Sequence, residues 1–131
     1  MNPAPTIAIV DDDDGVRTSL SSLVRSLGHE VRTYGSAVEF LADVEAAGNP
    51  DCLITDMQMP RMTGAQLLDA LVAAGRRFPV IVMTAYPSEA TRDRVLAGGA
   101  FAYLVKPIDG PTLARCIAAA LARGEGNHTF A

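Results

Sequence analysis

Residues 6–28 read TIAIVDDDDGVRTSLSSLVRSLG. Thr6 to Val10 is an unbroken apolar run that stops at acids, the pattern of a strand buried on both faces. Val16, Leu20, Leu23, Val24 and Leu27 then recur at helical spacing, and Gly28 is placed to stop the helix. One strand and one helix in 23 residues is a βα unit, and the rest of the chain repeats the plan. Glu30 to Tyr34 is a short strand, expected at an edge. Ser36 with Glu39 reads as a capping box for a helix carrying Phe40, Leu41 and Val44. Cys52 to Thr55 forms a third strand ending at Asp56. Thr63 with Gln66 is a second capping box, opening a helix whose apolar stripe is Leu67, Leu68, Leu71 and Val72. Val80 to Met83 leads to Thr84, a short helix spans Ser88 to Ala97, and Gly98-Gly99 closes it. Ala100 to Val105 is a fifth strand ending at Lys106-Pro107. Asp109 caps a last helix through Leu113, Cys116, Ile117, Ala120 and Leu121. Five such units with near-continuous apolar strands make an α/β domain with a parallel sheet, helices on both faces and right-handed crossovers.

Composition narrows the function. The chain has 131 residues, 49% hydrophobic and 20% charged, enough for one domain with a real core. Its net charge of −4 argues against direct nucleic-acid contact, which needs clustered basic residues. Two cysteines, Cys52 and Cys116, are too few for a disulfide scaffold or a four-ligand zinc site and read as buried thiols of a cytoplasmic protein. No apolar run suits a membrane span, and the N-terminus has no signal-like core. Of 11 basic residues only one is lysine, Lys106, which points to a place needing a compact ammonium rather than a planar fork, although chance also produces such a count.

In an open α/β sheet, ligands bind at the carboxyl ends of the strands. Those ends carry Asp11 and Asp12, Asp56, Thr84 and Lys106. Crowded carboxylates repel unless a cation lies between them, and hard oxygen donors favour Mg²⁺. A carboxylate beside a metal, a lysine and a threonine hydroxyl has what phosphoryl transfer requires. Taken singly, each residue has a plainer reading: a solvated acidic turn, a cap, a strand-end hydroxyl, a surface turn. Asp13 and Asp14 fit the plain reading, as the start of the first helix. The joint occurrence at four strand ends carries the signal.

The segments IVDDDDGVR, LITDMQMPRMTG, VIVMTAY and FAYLVKPI resemble the receiver domain of two-component response regulators, over about Thr6 to Ala122. SAVEFL, after Tyr34, is similar to nitrogen-fixation-type regulators that carry a helix-turn-helix output domain. The resemblance implies a flavodoxin-like (βα)5 fold with strand order 2-1-3-4-5, a receiver over 1–122, and a frayed tail or linker start over 123–131. It implies that Asp56 is the phosphoacceptor, that Asp12 binds Mg²⁺ directly and Asp11 through water, and that the Gln58 backbone carbonyl is a further ligand. Thr84 would hydrogen-bond the phosphoryl group and Lys106 would pair with it. The Lys106-Pro107 peptide is expected to be cis, and Gly64 to fit closely at the start of the third helix. Tyr103 would be the aromatic switch residue with Thr84, the two expected to end neighbouring strands. Gln58 and Tyr86 would tune dephosphorylation. The implied partner is a sensor histidine kinase; Arg92, Asp93 and Arg94 of the fourth helix either offer charge pairs to a second copy, in a phosphorylation-enhanced homodimer, or form an ordinary solvated face. Turnover is confined to the domain's own phosphorylation and dephosphorylation, in control of transcription, and the chain is either a stand-alone receiver or a piece of a longer regulator.

Two other functions fit parts of the sequence. Asp12 to Val16 matches the start of haloacid-dehalogenase-type phosphatases, with Asp12 as nucleophile and Asp14 as general acid; that scheme lacks a late acidic pair and leaves Asp56 without a role. A phosphate-independent binding module would not need Asp11, Asp12, Asp56, Thr84 and Lys106 together. A calcium loop fails, since Gly15 at its sixth position puts Val10 where an aspartate is required.

Overall fold

A computed structural model describes residues 3–123. Strands and helices alternate: β1 (Thr6–Val10), α1 (Asp14–Ser26), β2 (Glu30–Tyr34), α2 (Ala37–Ala47), β3 (Cys52–Asp56), α3 (Gly64–Ala73), β4 (Val80–Thr84), α4 (Glu89–Ala97), β5 (Ala102–Val105) and α5 (Gly110–Ala122). All pairings are parallel and the order is β2-β1-β3-β4-β5, as expected.

The two-residue period of the strands divides the core. Ala8, Val10, Leu53, Val80 and Val82 face one side, packed with Phe40 and Val44 of α2, Leu67 and Leu71 of α3 and Val95 of α4. Ile7, Ile9, Ile54, Ile81 and Met83 face the other, packed with Val24 of α1 and Leu113, Cys116 and Ile117 of α5. β3 and β4 are buried at every position, whereas β2 at the edge exposes Glu30 and Thr33. Both cysteines are free and buried among aliphatic side chains. Burial pushes both thiols up, that of Cys116 to about 11, so neither is poised to react.

Helix starts follow the sequence signals. Asp13 caps α1, Ser36 α2, Thr63 α3, Ser88 α4 and Asp109 α5, each side chain accepting a backbone N–H three residues on. The reciprocal capping box forms at Thr63 and Gln66. At Ser36 the Glu39 carboxylate instead accepts from the serine hydroxyl.

Some boundaries and faces differ from expectation. β5 begins at Ala102, not Ala100; Ala100 and Phe101 are buried in the approach to the strand, and burial alone makes that stretch look like strand. Val72 is 57% exposed, about 100° further round α3 than buried Leu71, and Leu27 is the C-cap of α1 rather than part of its packed face. Arg123, expected in the tail, caps α5. The tail expected over Gly124–Ala131 otherwise lies outside the described residues. Among the described residues no helix is long and apolar enough to cross a membrane.

Candidate functional site

The strand ladder continues one residue past three strand ends. Asp11 N–H donates to Tyr34 O (3.1 Å), Met57 N–H to Met83 O (2.7 Å) and Lys106 N–H to Thr84 O (2.8 Å). The sheet therefore fixes the backbone from which Asp11, Asp56, Thr84 and Lys106 project, and all four meet at one rim.

Asp11 is fully buried. Its Oδ1 accepts from Asp13 N–H (2.9 Å), its Oδ2 from Lys106 Nζ (3.1 Å), and its carbonyl from Arg17 Nη1 (2.6 Å). Lys106 Nζ also stands 3.3 Å from Asp56 Oδ1. That contact is an ion pair without hydrogen-bond alignment, and Oδ1 of Asp56 is buried with no hydrogen-bond partner. Asp12 is exposed. One oxygen each from Asp11, Asp12 and Asp56 lies within 4.8 Å of the others.

Burial, then the charge of Asp11, raises the Asp56 carboxyl above its ordinary value, with Lys106 and the Gln58 backbone N–H pulling the other way. Burial also works against the Lys106 ammonium, but the hydrogen bond and charge of Asp11, followed by the charge of Asp56, outweigh it and raise its pKa. Two buried carboxylates sharing one ammonium remain short of positive charge. An orphaned buried oxygen among hard donors fits a divalent cation with oxygen preference.

Thr84 is fully buried; its hydroxyl donates to Gln58 Oε1 (3.0 Å) and accepts from Tyr86 N–H (3.0 Å). Tyr86 is 75% exposed. Tyr103 does not end its strand: it pairs with Val82, and Val105 pairs with Thr84. Its ring is already half-buried against the α2–α3–α4 side of the core, and its hydroxyl accepts from Ser88 N–H (3.4 Å). The Lys106–Pro107 peptide is cis. A Cβ on Gly64 would stand 2.5 Å from the Asp56 carbonyl oxygen, so only glycine lets α3 start this close to β3.

Sequence reasoning missed two residues, Arg17 and Arg61, and one contact of a residue it had named, Gln58. Arg17 ties Asp11 to Asp14, with which it forms an ion pair. Arg61 holds a left-handed backbone (φ 69°) in the loop after Asp56. The Gln58 side chain engages Thr84. The dehalogenase-type scheme finds no support, because its general acid, Asp14, is 90% exposed and ion-paired with Arg17, and the carboxylate that joins Asp11 and Asp12 is Asp56.

An open parallel sheet of this order, with its carboxylates gathered around a single lysine at the carboxyl rim, defines a doubly wound α/β module with its site at the switch of strand order. The chain belongs to the response regulator receiver domain family, whose model matches residues 7–118. It is 36% identical over 119 residues to the transcriptional regulatory protein TdiR of Thauera aromatica, a match covering 91% of this chain and 52% of that protein. It is also 36% identical over 117 residues to the transcriptional regulatory protein FixJ of Azorhizobium caulinodans, covering 89% and 55%. The chain thus spans about half the length of the curated relatives it matches. Among solved structures it is similar to FixJ-N (TM-score 0.83, 30% identity, 92% of this chain and 95% of that one). It is also similar to a response regulator receiver domain protein of Clostridium thermocellum (TM-score 0.85, 29% identity, 92% and 97%).

Proposed function

We propose that Asp56 accepts a phosphoryl group from the phosphohistidine of a sensor histidine kinase, in a Mg²⁺-dependent transfer within a two-component system. The supporting observation is the buried Oδ1 of Asp56, which has no hydrogen-bond partner, is ion-paired with Lys106 Nζ at 3.3 Å and clusters with Asp11 and Asp12. A carboxylate oxygen of Asp56 forms the bond to phosphorus as the phosphorus–nitrogen bond breaks, and the electron pair returns to the imidazole nitrogen. Lys106 pairs with the phosphoryl oxygens, and the Thr84 hydroxyl donates to one of them. Asp12, Asp56 and the Gln58 backbone carbonyl would hold Mg²⁺ directly and Asp11 through water; the bound ion would offset charge on the transferring phosphoryl oxygens.

The reading extends to the rest of the pathway. Relatives named as transcriptional regulators support control of transcription in the cytoplasm, through an output activity outside this domain. The receiver acts as a signalling module, with turnover limited to its own acyl phosphate. Gln58 and the exposed Tyr86, both bound to the Thr84 hydroxyl, would tune the lifetime of that bond.

Intact-mass analysis after treatment with acetyl phosphate tests the assignment. The expected result is one added phosphoryl group, dependent on Mg²⁺ and absent in Asp56→Asn. Equal labelling of Asp56→Asn overturns the acceptor role, and unchanged Mg²⁺ affinity in Asp12→Ala overturns the metal role of Asp12.

A further inference from the structure

A threonine hydroxyl has one hydrogen to donate. In Thr84 it goes to the side-chain carbonyl of Gln58 at 3.0 Å, while an oxygen lone pair accepts the Tyr86 N–H at 3.0 Å. The hydroxyl cannot donate to Gln58 and to a phosphoryl oxygen on Asp56 at once. We propose that the Gln58 side chain is a positioning residue that holds Thr84 in the resting conformation, so that its acceptor strength sets how readily the domain switches. This rests on the reading of Asp56 as phosphoacceptor.

The energetics favour a releasable hold. Gln58 offers a neutral amide oxygen, and a phosphoryl oxygen offers a charged one, to which hydrogen bonds are roughly twice as strong. The hydroxyl therefore stays on Gln58 until Asp56 is modified and then leaves it. Bonds on the page carry that exchange outward. Tyr86 N–H is bound to the same hydroxyl. Two residues on, Ser88 donates its N–H to the Tyr103 hydroxyl and caps α4 through Thr91 N–H. Release of Gln58 is thus coupled to the start of α4 and to the ring of β5. A role limited to lining the water path to the acyl phosphate would leave these groups unmoved in the unmodified protein.

The test compares wild type with Gln58→Met, which keeps length and volume but lacks the amide carbonyl. Each is titrated with beryllium fluoride at saturating Mg²⁺ and followed by the amide resonances of Tyr86 and Ser88. Without beryllium fluoride, Gln58→Met is expected to show both resonances displaced toward their wild-type bound positions. Its apparent affinity for beryllium fluoride should be about two- to tenfold tighter, the worth of one net hydrogen bond. In a Thr84→Val background the same substitution should change affinity by less than about twofold, because the shared partner is gone. Resonances and affinity identical to wild type overturn the proposal, as does an equal gain in the Thr84→Val background. If wild type shows no binding dependent on Asp56, the phosphoacceptor reading fails and this inference with it. If wild type binds and Gln58→Met matches it, only the inference fails.

Discussion

Lys106 Nζ lies 3.1 Å from Oδ2 of Asp11, a carboxylate with no solvent exposure, at the meeting of β1 and β5 loops that are 95 residues apart in sequence. Removing one partner of a buried pair leaves the other charge uncompensated, which costs about 3–5 kcal/mol. Lys106→Met should fall at the lower end, about 3 kcal/mol, because the Lys106 side chain is itself 21% exposed. Urea unfolding at neutral pH without Mg²⁺ measures it. Lys106→Arg keeps the charge and should stay folded, but its planar fork cannot replace a point ammonium between two carboxylates, so phosphorylation should drop. Normal labelling and normal switching in Lys106→Arg would remove the case for the lone lysine.

Asp56 carries a stability cost at neutral pH. Burial and then Asp11 raise its pKa from the ordinary 3.8. The folded state therefore holds this proton more tightly than the unfolded state. Its contribution to stability falls as pH rises from the unfolded value through the raised folded value, and above that window the deficit is constant. Lys106, its own pKa raised, stays charged throughout. Asp56→Asn should be more stable than wild type at pH 7, with the difference vanishing below about pH 4. Parallel denaturation curves at the two pH values, without Mg²⁺, decide this; a less stable Asp56→Asn at pH 7 contradicts it.

The strand ends were legible because they need only local pattern: an apolar run, then a residue that does not belong in one. Asp11, Asp56, Thr84 and Lys106 each stood out in this way, and the fold brings them together as read. The edge position of β2 and the caps at Ser36, Thr63 and Asp109 were legible for the same reason. The start of β5 was not, since buried Ala100 and Phe101 satisfy the same apolar pattern without strand pairing at Ala100. Nor was the Gln58–Thr84 bond, which joins side chains 26 residues apart and depends on how the loop after β3 closes. Arg17 reads on sequence as an ordinary basic residue of α1; its bond to the Asp11 carbonyl exists only because the chain turns back at Asp13. The left-handed Arg61 carries no local signal, since glycine or asparagine is the usual occupant of that conformation.

Gly64 supports Asp56 by being small. A Cβ there would lie 2.5 Å from the Asp56 carbonyl oxygen and 3.1 Å from Met57 Cα, both backbone atoms that cannot rotate away. Gly64→Ala should destabilise by about 1–3 kcal/mol and shift the β3 end, lowering the rate of phosphorylation. Gly110→Ala is the control. Its Cβ would meet Leu23 at 3.6 Å, an ordinary contact, so stability should change by less than about 1 kcal/mol. Equal effects at the two glycines would mean that close approach to Asp56 is not what position 64 requires.

The α4–β5–α5 face is the place to look for a response to phosphorylation. Among its described residues α4 buries only Val95, so little packing opposes its displacement. Its charges are partly committed within the chain: Arg94 pairs with Asp69 of α3 at 3.0 Å, and Arg92 with neighbouring Asp93 at 3.8 Å. Arg94 is therefore less free for a second copy than its sequence position suggests. Val105, 48% exposed on β5, supplies apolar surface beside them. A shift of α4 that follows Thr84 would alter this face, and couplings of ~1–3 kcal/mol are typical of such transitions. Beryllium fluoride with Mg²⁺ should then strengthen self-association about 5- to 150-fold, the range those couplings span. Val105→Asp should abolish that gain by placing a desolvated charge in the contact. Sedimentation of both proteins with and without the mimic measures it. Unchanged association in wild type, or an undiminished gain in Val105→Asp, would show that this face does not mediate pairing between copies.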